Sequence, residues 1–309
     1  MSFNFDYRPK DFDSLLGQTF VKEALSHALK NKRTVGAYLF HGTRGTGKTT
    51  VARILAKAFN CSELRDDGNP CGNCPNCRAF EESRMIDIIE IDAASNTGVD
   101  NIREMIERAQ FQPSEGKFKV YIIDEVHMLS KGAFNALLKT LEEPPPHVKF
   151  ILATTEIHKI PETIISRTQR YDFRRITEAD IITRLSFIAN EEKIDAEDSG
   201  LALIAKLAKG GMRDAVSLFE QYAIGGILRK KFIEENLALV GEAFLADFLV
   251  ALARRDAEKT LKMLTELKSR SIEARRFFDE LLFFIRDRLI EALSSPNFAT
   301  YERIFRAFE

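Results

Sequence analysis

Three groups of residues in this sequence carry chemistry by their types and spacing. The first is Gly42-Thr43-Arg44-Gly45-Thr46-Gly47-Lys48-Thr49, an unbroken G-x-x-x-x-G-K-T followed by Thr50. Glycines so spaced let backbone N–H groups turn inward around phosphate oxygens, and a helix beginning at the end of the loop adds positive potential. Lys48 is placed to reach the β- and γ-phosphates, and Thr49 to ligate Mg2+. The second group is Asp124-Glu125, at the end of the apolar run Lys119-Val120-Tyr121-Ile122-Ile123. Two acids ending a buried parallel strand are the expected partner of a phosphate loop. Asp124 would hold Mg2+ through water, and Glu125 would orient and polarise an attacking water.

The third group is Cys61, Cys71, Cys74 and Cys77, which are all the cysteines of the chain. Three of them form C-x2-C-x2-C, with Gly72, Asn73, Pro75 and Asn76 in the turns. Four thiolates converging on one point is the closed tetrahedral pattern of structural Zn2+. An iron-sulfur cluster also uses this spacing, normally with a further Cys followed by Pro, which is not present here. Disulfides are disfavoured if the protein works in a reducing cytoplasm.

These groups need a scaffold. Tyr38-Leu39-Phe40-His41 reads as a short strand ahead of the loop, and Thr50 to Phe59 as a helix with apolar Val51, Ile54, Leu55 and Ala58 at helical spacing. Val148 to Ala153 reads as a further strand, followed by Thr154-Thr155-Glu156. The helical pattern from Ala133 to Glu143 stops at Pro144. Alternating strands and helices imply an α/β fold with a parallel sheet covered on both faces. Thr177 reads as the N-cap of a new helix, with Asp180 reaching back as in a capping box.

Composition sets limits. Lys plus Arg is 45 and Asp plus Glu 46 in 309 residues, so no global basic field advertises nucleic acid. No apolar run approaches the roughly 18 residues of a membrane span, and the N-terminus lacks a signal-peptide core. The expectation is a cytoplasmic protein with no membrane partner.

Taken in order, the motifs resemble AAA+ ATPases of the clamp-loader group, specifically the family of bacterial DNA polymerase III gamma/tau subunits. The resemblance rests on Tyr7-Arg8-Pro9-Lys10, Leu16-Gly17-Gln18, the phosphate loop, the four-cysteine insert and Ile91-Asp92-Ala93-Ala94-Ser95. It continues through Asp124-Glu125-Val126-His127-Met128-Leu129, Leu137 to Pro145, Ala153-Thr154-Thr155, Ser166-Arg167 and Arg213-Asp214. It implies an AAA+ nucleotide-binding domain over 1–176 with a zinc module at about 61–77. A helical lid over 177–241 and an incomplete helical collar over 242–309 would follow. Tyr7, Arg8, Pro9 and Leu16 would fold over the adenine of ATP or ADP. Thr155, with Thr154 as the near alternative, would be the first sensor, and Arg213 the second. Arg167 would act in trans as an arginine finger. The implied function is ATP-driven opening and loading of a sliding clamp onto primer-template DNA, within a ring of other loader subunits. DNA would be held through its phosphates. The family's usual Ser-Arg-Cys is Ser166-Arg167-Thr168 here, and Asn96 and Gly98 are uncharged where relatives are basic, which leaves DNA contact there to Arg103 or Arg108. A branch-migration motor, a non-hydrolysing scaffold and a zinc-based DNA-binding module are the competing readings.

Overall fold

The computed structural model describes residues 2–95, 98–237, 240–270 and 272–293. The expectations for Asn96 and for 294–309 lie outside these residues. The chain forms two compact units, Met1–Leu228 and Arg229–Glu309.

The first unit begins with helix α1 (Phe3–Asp6) and helix α2 (Thr19–Lys30). Strand β1 (Ala37–Gly42) leads through the phosphate loop into α3 (Lys48–Asn60). The short α4 (Pro75–Glu81) closes the cysteine insert. Then come β2 (Ile88–Asp92), α5 (Val99–Ala109), β3 (Lys119–Asp124), α6 (Lys131–Glu142), β4 (Val148–Thr154), α7 (Glu162–Ile165) and β5 (Gln169–Phe173). All five strands are parallel, in the order β2-β3-β4-β1-β5.

The inner strands are mostly apolar because both sheet faces are covered, although β4 carries the buried Lys149. Their side chains still alternate between two cores. Tyr38 and Phe40 of β1, Val120 and Ile122 of β3, and Ile151 of β4 pack with α2 and α3 through Val21, Leu25, Val51 and Leu55. Leu39, Tyr121, Ile123, Phe150 and Leu152 face the other way, toward Ile102 and Met105 of α5 and Leu137 of α6. Helix α6 starts at Ser130, whose hydroxyl accepts from the Ala133 N–H.

Three further helices complete this unit: α8 (Glu178–Glu191), α9 (Asp198–Leu207) and α10 (Met212–Tyr222). They bury Ile181, Leu185, Ile188, Leu201, Ile204, Val216 and Phe219. Thr177 caps α8 by accepting from the Asp180 N–H at 3.1 Å. The return half of the capping box differs from expectation. The shorter Asp180 side chain takes the Thr177 hydroxyl at 2.8 Å, where Glu would reach the backbone. The compact unit ends at Leu228, ahead of the Gly241 boundary expected for the lid. The pairing of Ile227 and Leu228 with Asp195 and Ala196 ties the chain down until that point.

The second unit holds α11 (Lys230–Asn236), α12 (Glu242–Ala253), α13 (Ala257–Ser269) and α14 (Ala274–Leu293). Its core is Leu245, Phe248, Met263, Leu267, Phe277, Leu281 and Phe284. Leu261, Phe278 and Leu282 are exposed.

One buried acid governs how β3 enters the sheet. Asp87 accepts the backbone N–H groups of Ser114, Glu115 and Gly116 at 2.8, 2.7 and 2.7 Å, and its own carbonyl accepts from Val120 N–H at 2.7 Å. Burial alone raises its pKa, but these N–H groups outweigh burial and hold it below the ordinary carboxylate value. A depressed pKa contributes stability above the unfolded value of about 3.9, and that stability is lost as pH falls through the folded pKa. Asp87→Asn should cost about 2–3 kcal/mol in urea unfolding at pH 7, with the gap from the parent closing below about pH 4. A pH-independent gap would contradict this account.

Candidate functional site

The phosphate loop sits where β1 ends and α3 begins. Gly45 lies so close to the lid that a Cβ on it would stand 3.0 Å from Gly211 Cα, and its carbonyl accepts from the Met212 N–H at 2.9 Å. Thr46 is buried and donates its hydroxyl to the Thr43 carbonyl at 2.8 Å. Lys48 is buried as well. Its ammonium donates to the Gly42 and Thr43 carbonyls at 2.8 and 3.0 Å. Burial lowers the Lys48 pKa, and the charges of Glu125 and Asp124 oppose that shift.

The acids arrive at the end of β3, which β4 separates from β1. Thr49 Oγ1 donates to Asp124 Oδ2 at 2.7 Å, so the two expected Mg2+ ligands touch. Glu125 takes a left-handed backbone conformation, φ 47°, and its N–H donates to Asp124 Oδ1 at 2.9 Å. The Thr155 hydroxyl donates to Glu125 Oε2 at 3.0 Å. Thr154 is fully buried and faces His127, with its Oγ1 3.0 Å from Nδ1. This separates the two threonines: Thr155 contacts the acid, whereas Thr154 orients the histidine.

A cleft of about 430 Å3 opens beside these groups, walled by the core on one side and by α8 and α10 on the other. Tyr7, Arg8, Pro9, Leu16, Gly45, Gly47, Lys48, Thr49, Thr50, Asp124, Glu125 and Arg213 all line it. Gly42, Thr43 and Thr46 serve from behind, through the carbonyls and the hydroxyl already described. Thr155 lies one hydrogen bond behind Glu125. Arg167 does not line this cleft. Its guanidinium is bound to Glu142 and donates to the Thr163 carbonyl at 2.7 Å, at the outer end of α7. Thr168, in place of the family's Cys, donates to the Ile164 and Ile165 carbonyls at 3.2 and 3.1 Å, so the exchange leaves no orphaned hydroxyl.

The cleft is strongly cationic for a chain with no net positive charge. Arg8 is half-buried, and burial, followed by the nearby Arg53 and then by Arg213 beyond the opposing Glu90, lowers its pKa. Packing guanidinium and ammonium groups together in this way suits a polyanion. The lining also includes apolar Pro9, Leu15, Leu16, Ile176, Met212 and Val216, which suits a flat base.

Sequence reasoning missed several contributors. Gln18, in a left-handed turn, donates to the Thr46 and Arg174 carbonyls at 3.2 and 2.6 Å and accepts from Arg174 N–H at 3.1 Å. Its place beside Gly17 was the available signal. Arg184 of α8 lines the cleft and donates to the Tyr7 carbonyl; no spacing pointed to it. The Tyr7 hydroxyl goes to Glu192 at 2.5 Å, a contact that, with burial second, pushes its pKa up to about 12. Buried His127 has Nδ1 3.3 Å from Glu125 Oε2 and Nε2 3.3 Å from Glu156 Oε1.

The four cysteines converge apart from the cleft. Their sulfurs all lie within 4.8 Å of one another, with the Cys71–Cys77 and Cys61–Cys74 pairs at 4.0 Å. Zn–S bonds of about 2.3 Å in a tetrahedron put sulfurs about 3.8 Å apart, so the set fits one ion. Backbone N–H groups of Cys71, Asn73, Cys74 and Cys77 donate to the sulfurs of Cys61, Cys71, Cys71 and Cys74 at 3.3–3.4 Å, which favours thiolates. At Cys74 burial raises the pKa, but hydrogen bonds from Ser62 and from the Cys77 N–H bring it to about 6. The purified protein should release about one Zn2+ per chain on acid treatment, and chelation should lower its melting temperature. Iron with visible charge-transfer absorbance would overturn zinc in favour of a cluster.

Comparison with known proteins agrees with this geometry. Residues 17–177 match the family model described as DNA polymerase III, delta subunit, and residues 180–226 match the DNA polymerase III clamp loader subunit, ATPase lid domain. DNA polymerase III subunit tau of Bacillus subtilis is 46% identical over 288 residues, covering 92% of this chain and 51% of the relative. DNA polymerase III subunit gamma of Buchnera aphidicola from Acyrthosiphon pisum is 42% identical over 304 residues, covering 97% of this chain and 82% of the relative. The chain thus spans about half the length of the longer tau relative. Among solved structures, the Thermotoga maritima RuvB Holliday junction branch migration motor superposes with a TM-score of 0.55 at 20% identity, covering 80% of this chain and 79% of that one. At that identity the likeness concerns the fold alone. No helix among the described residues is long and apolar enough to cross a membrane.

Proposed function

The chain belongs to the DNA polymerase III gamma/tau family of clamp-loader subunits, and from that premise we propose that it is an ATP-driven switch for loading a sliding clamp onto primed DNA. The observation that carries this reading is the 2.7 Å contact between Thr49 and Asp124 at the mouth of a cationic cleft shared by core and lid.

In this reading the loop N–H groups and Lys48 hold the β- and γ-phosphates, and Pro9, Leu16 and their apolar neighbours receive the adenine. The paired oxygens of Thr49 and Asp124 fit a hard cation, and Mg2+ held there would neutralise charge at the β- and γ-phosphates. Glu125 takes the proton of the attacking water. Thr155 supports that role, because its hydroxyl bonds the carboxylate and fixes its direction. Arg213 reaches the γ-phosphate from the lid, so the bound triphosphate ties α10 to the core. Arg167 reaches a neighbouring subunit's site; its position outside its own cleft, on Glu142, supports action in trans. Loss of the γ-phosphate then releases lid and neighbour together. Differential affinity of the two states for clamp and DNA does the work. The zinc module serves as structure, with all four positions closed by sulfur. Partners are the other loader subunits, the sliding clamp and primer-template DNA, in the cytoplasm and away from membranes.

Lys48→Ala should abolish ATP binding and clamp loading by a reconstituted loader; full loading without this lysine would overturn the reading. Glu125→Gln should bind ATP about as tightly as the parent while steady-state turnover falls by about 100-fold or more. Loading should also weaken steeply between about 50 and 200 mM salt with little dependence on DNA sequence, as checked on primed templates of different composition.

A further inference from the structure

The cysteine insert is attached to the rest of the first unit on more than one side. On one side it grips α3. Asn76 donates to the Asn60 carbonyl at 2.8 Å, the buried Lys57 ammonium meets Glu81 at 2.5 Å, and the Arg53 guanidinium lies 5.0 Å from the Phe80 ring centre. On another side it grips the N-terminal segment. Asn69 is 2% exposed, and its Oδ1 accepts the Phe12 N–H at 2.7 Å. Arg65 reinforces this through Asp13 at 3.0 Å.

The turn that presents Asn69 is tightly built. Arg65 N–H donates to the Asn69 carbonyl, Gly68 N–H to the Arg65 carbonyl and Asn69 N–H to Asp67 Oδ1, each at 2.9 Å. Gly68 has φ +86°, and a Cβ there would stand 2.5 Å from the Ser26 carbonyl oxygen, so the turn is wedged against α2. Phe12 and Leu15 are buried in the α2–α3 core, and Leu15 reaches to within 3.6 Å of where a Cβ on Gly47 would lie. Phe12 thus opens a short segment that ends in the apolar wall of the cleft and touches the phosphate loop.

We propose that the cysteine insert is the outer clamp of the base-side wall, with Asn69 as its positioning residue. Four sulfurs held on one ion would fix where the Arg65–Asn69 turn stands, and the turn would fix where Phe12 to Leu16 stand. Without that anchor the wall samples other positions, and apparent affinity falls with the fraction of competent wall. The phosphate end, which Leu15 meets at Gly47, is held independently by Lys48, Thr49 and Asp124. This inference rests on the nucleotide reading of the cleft.

The test compares ATP with inorganic tripolyphosphate, both competing with a fluorescent ATP analogue, on the full chain with Mg2+ in excess. Parent protein that binds no ATP would sink the nucleotide reading itself. Given parent binding, Asn69→Ala should weaken ATP about five- to tenfold, as expected for one buried hydrogen bond, while tripolyphosphate affinity and zinc content stay at parent values. Asp87→Asn, which destabilises the same unit from the far end of β3, should lower the melting temperature without this selective loss. Parent protein stripped by a zinc-selective chelator should show the same selective loss, which keeps the test sound if Asn69→Ala does not fold. Unchanged ATP affinity in zinc-free protein, or equal losses for ATP and tripolyphosphate, would overturn the inference.

Discussion

The register of the parallel sheet is the constraint on which the site depends. His41 pairs with Thr154 and Ile123 with Leu152, which brings the carboxyl ends of β1, β4 and β3 to one edge. The phosphate loop, the threonine pair and the two acids follow directly from those three ends. A slip of one residue would turn Asp124 to the opposite face and separate it from Thr49. Burial on both faces resists such a slip, since each strand divides its apolar side chains between two filled cores. Asp87 adds a local guard by capping the loop just before β3.

Around this edge the protein arranges charge in layers. Lys48, Arg8 and Arg213 supply cations to the cleft, Asp124 and Glu125 line it beside them, and His127 and Glu156 stand behind Glu125. The two signs sit close enough to compensate each other in a partly buried cleft. A triphosphate with a divalent cation would complement this pattern, because it brings negative phosphates for the cations and a metal for the acids. Arg167 stands outside the arrangement, held on Glu142.

The lid and the N-terminal segment form the remaining walls, and both are linked to the loop through backbone groups. Met212 donates to Gly45, Gln18 to Thr46, and Arg184 to Tyr7. These contacts run through carbonyls that every residue possesses. Of these, the Met212–Gly45 bond joins the lid directly to the phosphate loop.

What the sequence determined by itself was the local chemistry. G-x-x-x-x-G-K-T, two acids after an apolar run, and C-x2-C-x2-C each derive meaning from spacing along a few residues, because turn and helix geometry is short-ranged. Strand and helix types followed from apolar periodicity for the same reason. Only the tertiary structure decided which hydroxyl meets Glu125, since Thr154 and Thr155 are adjacent and point to opposite sides of β4's end. It alone brought Gln18, Arg184 and His127 to the site and joined Asn69 to Phe12. Those pairings span long stretches of chain, and their distances depend on how sheet, helices and lid pack, which no local pattern encodes.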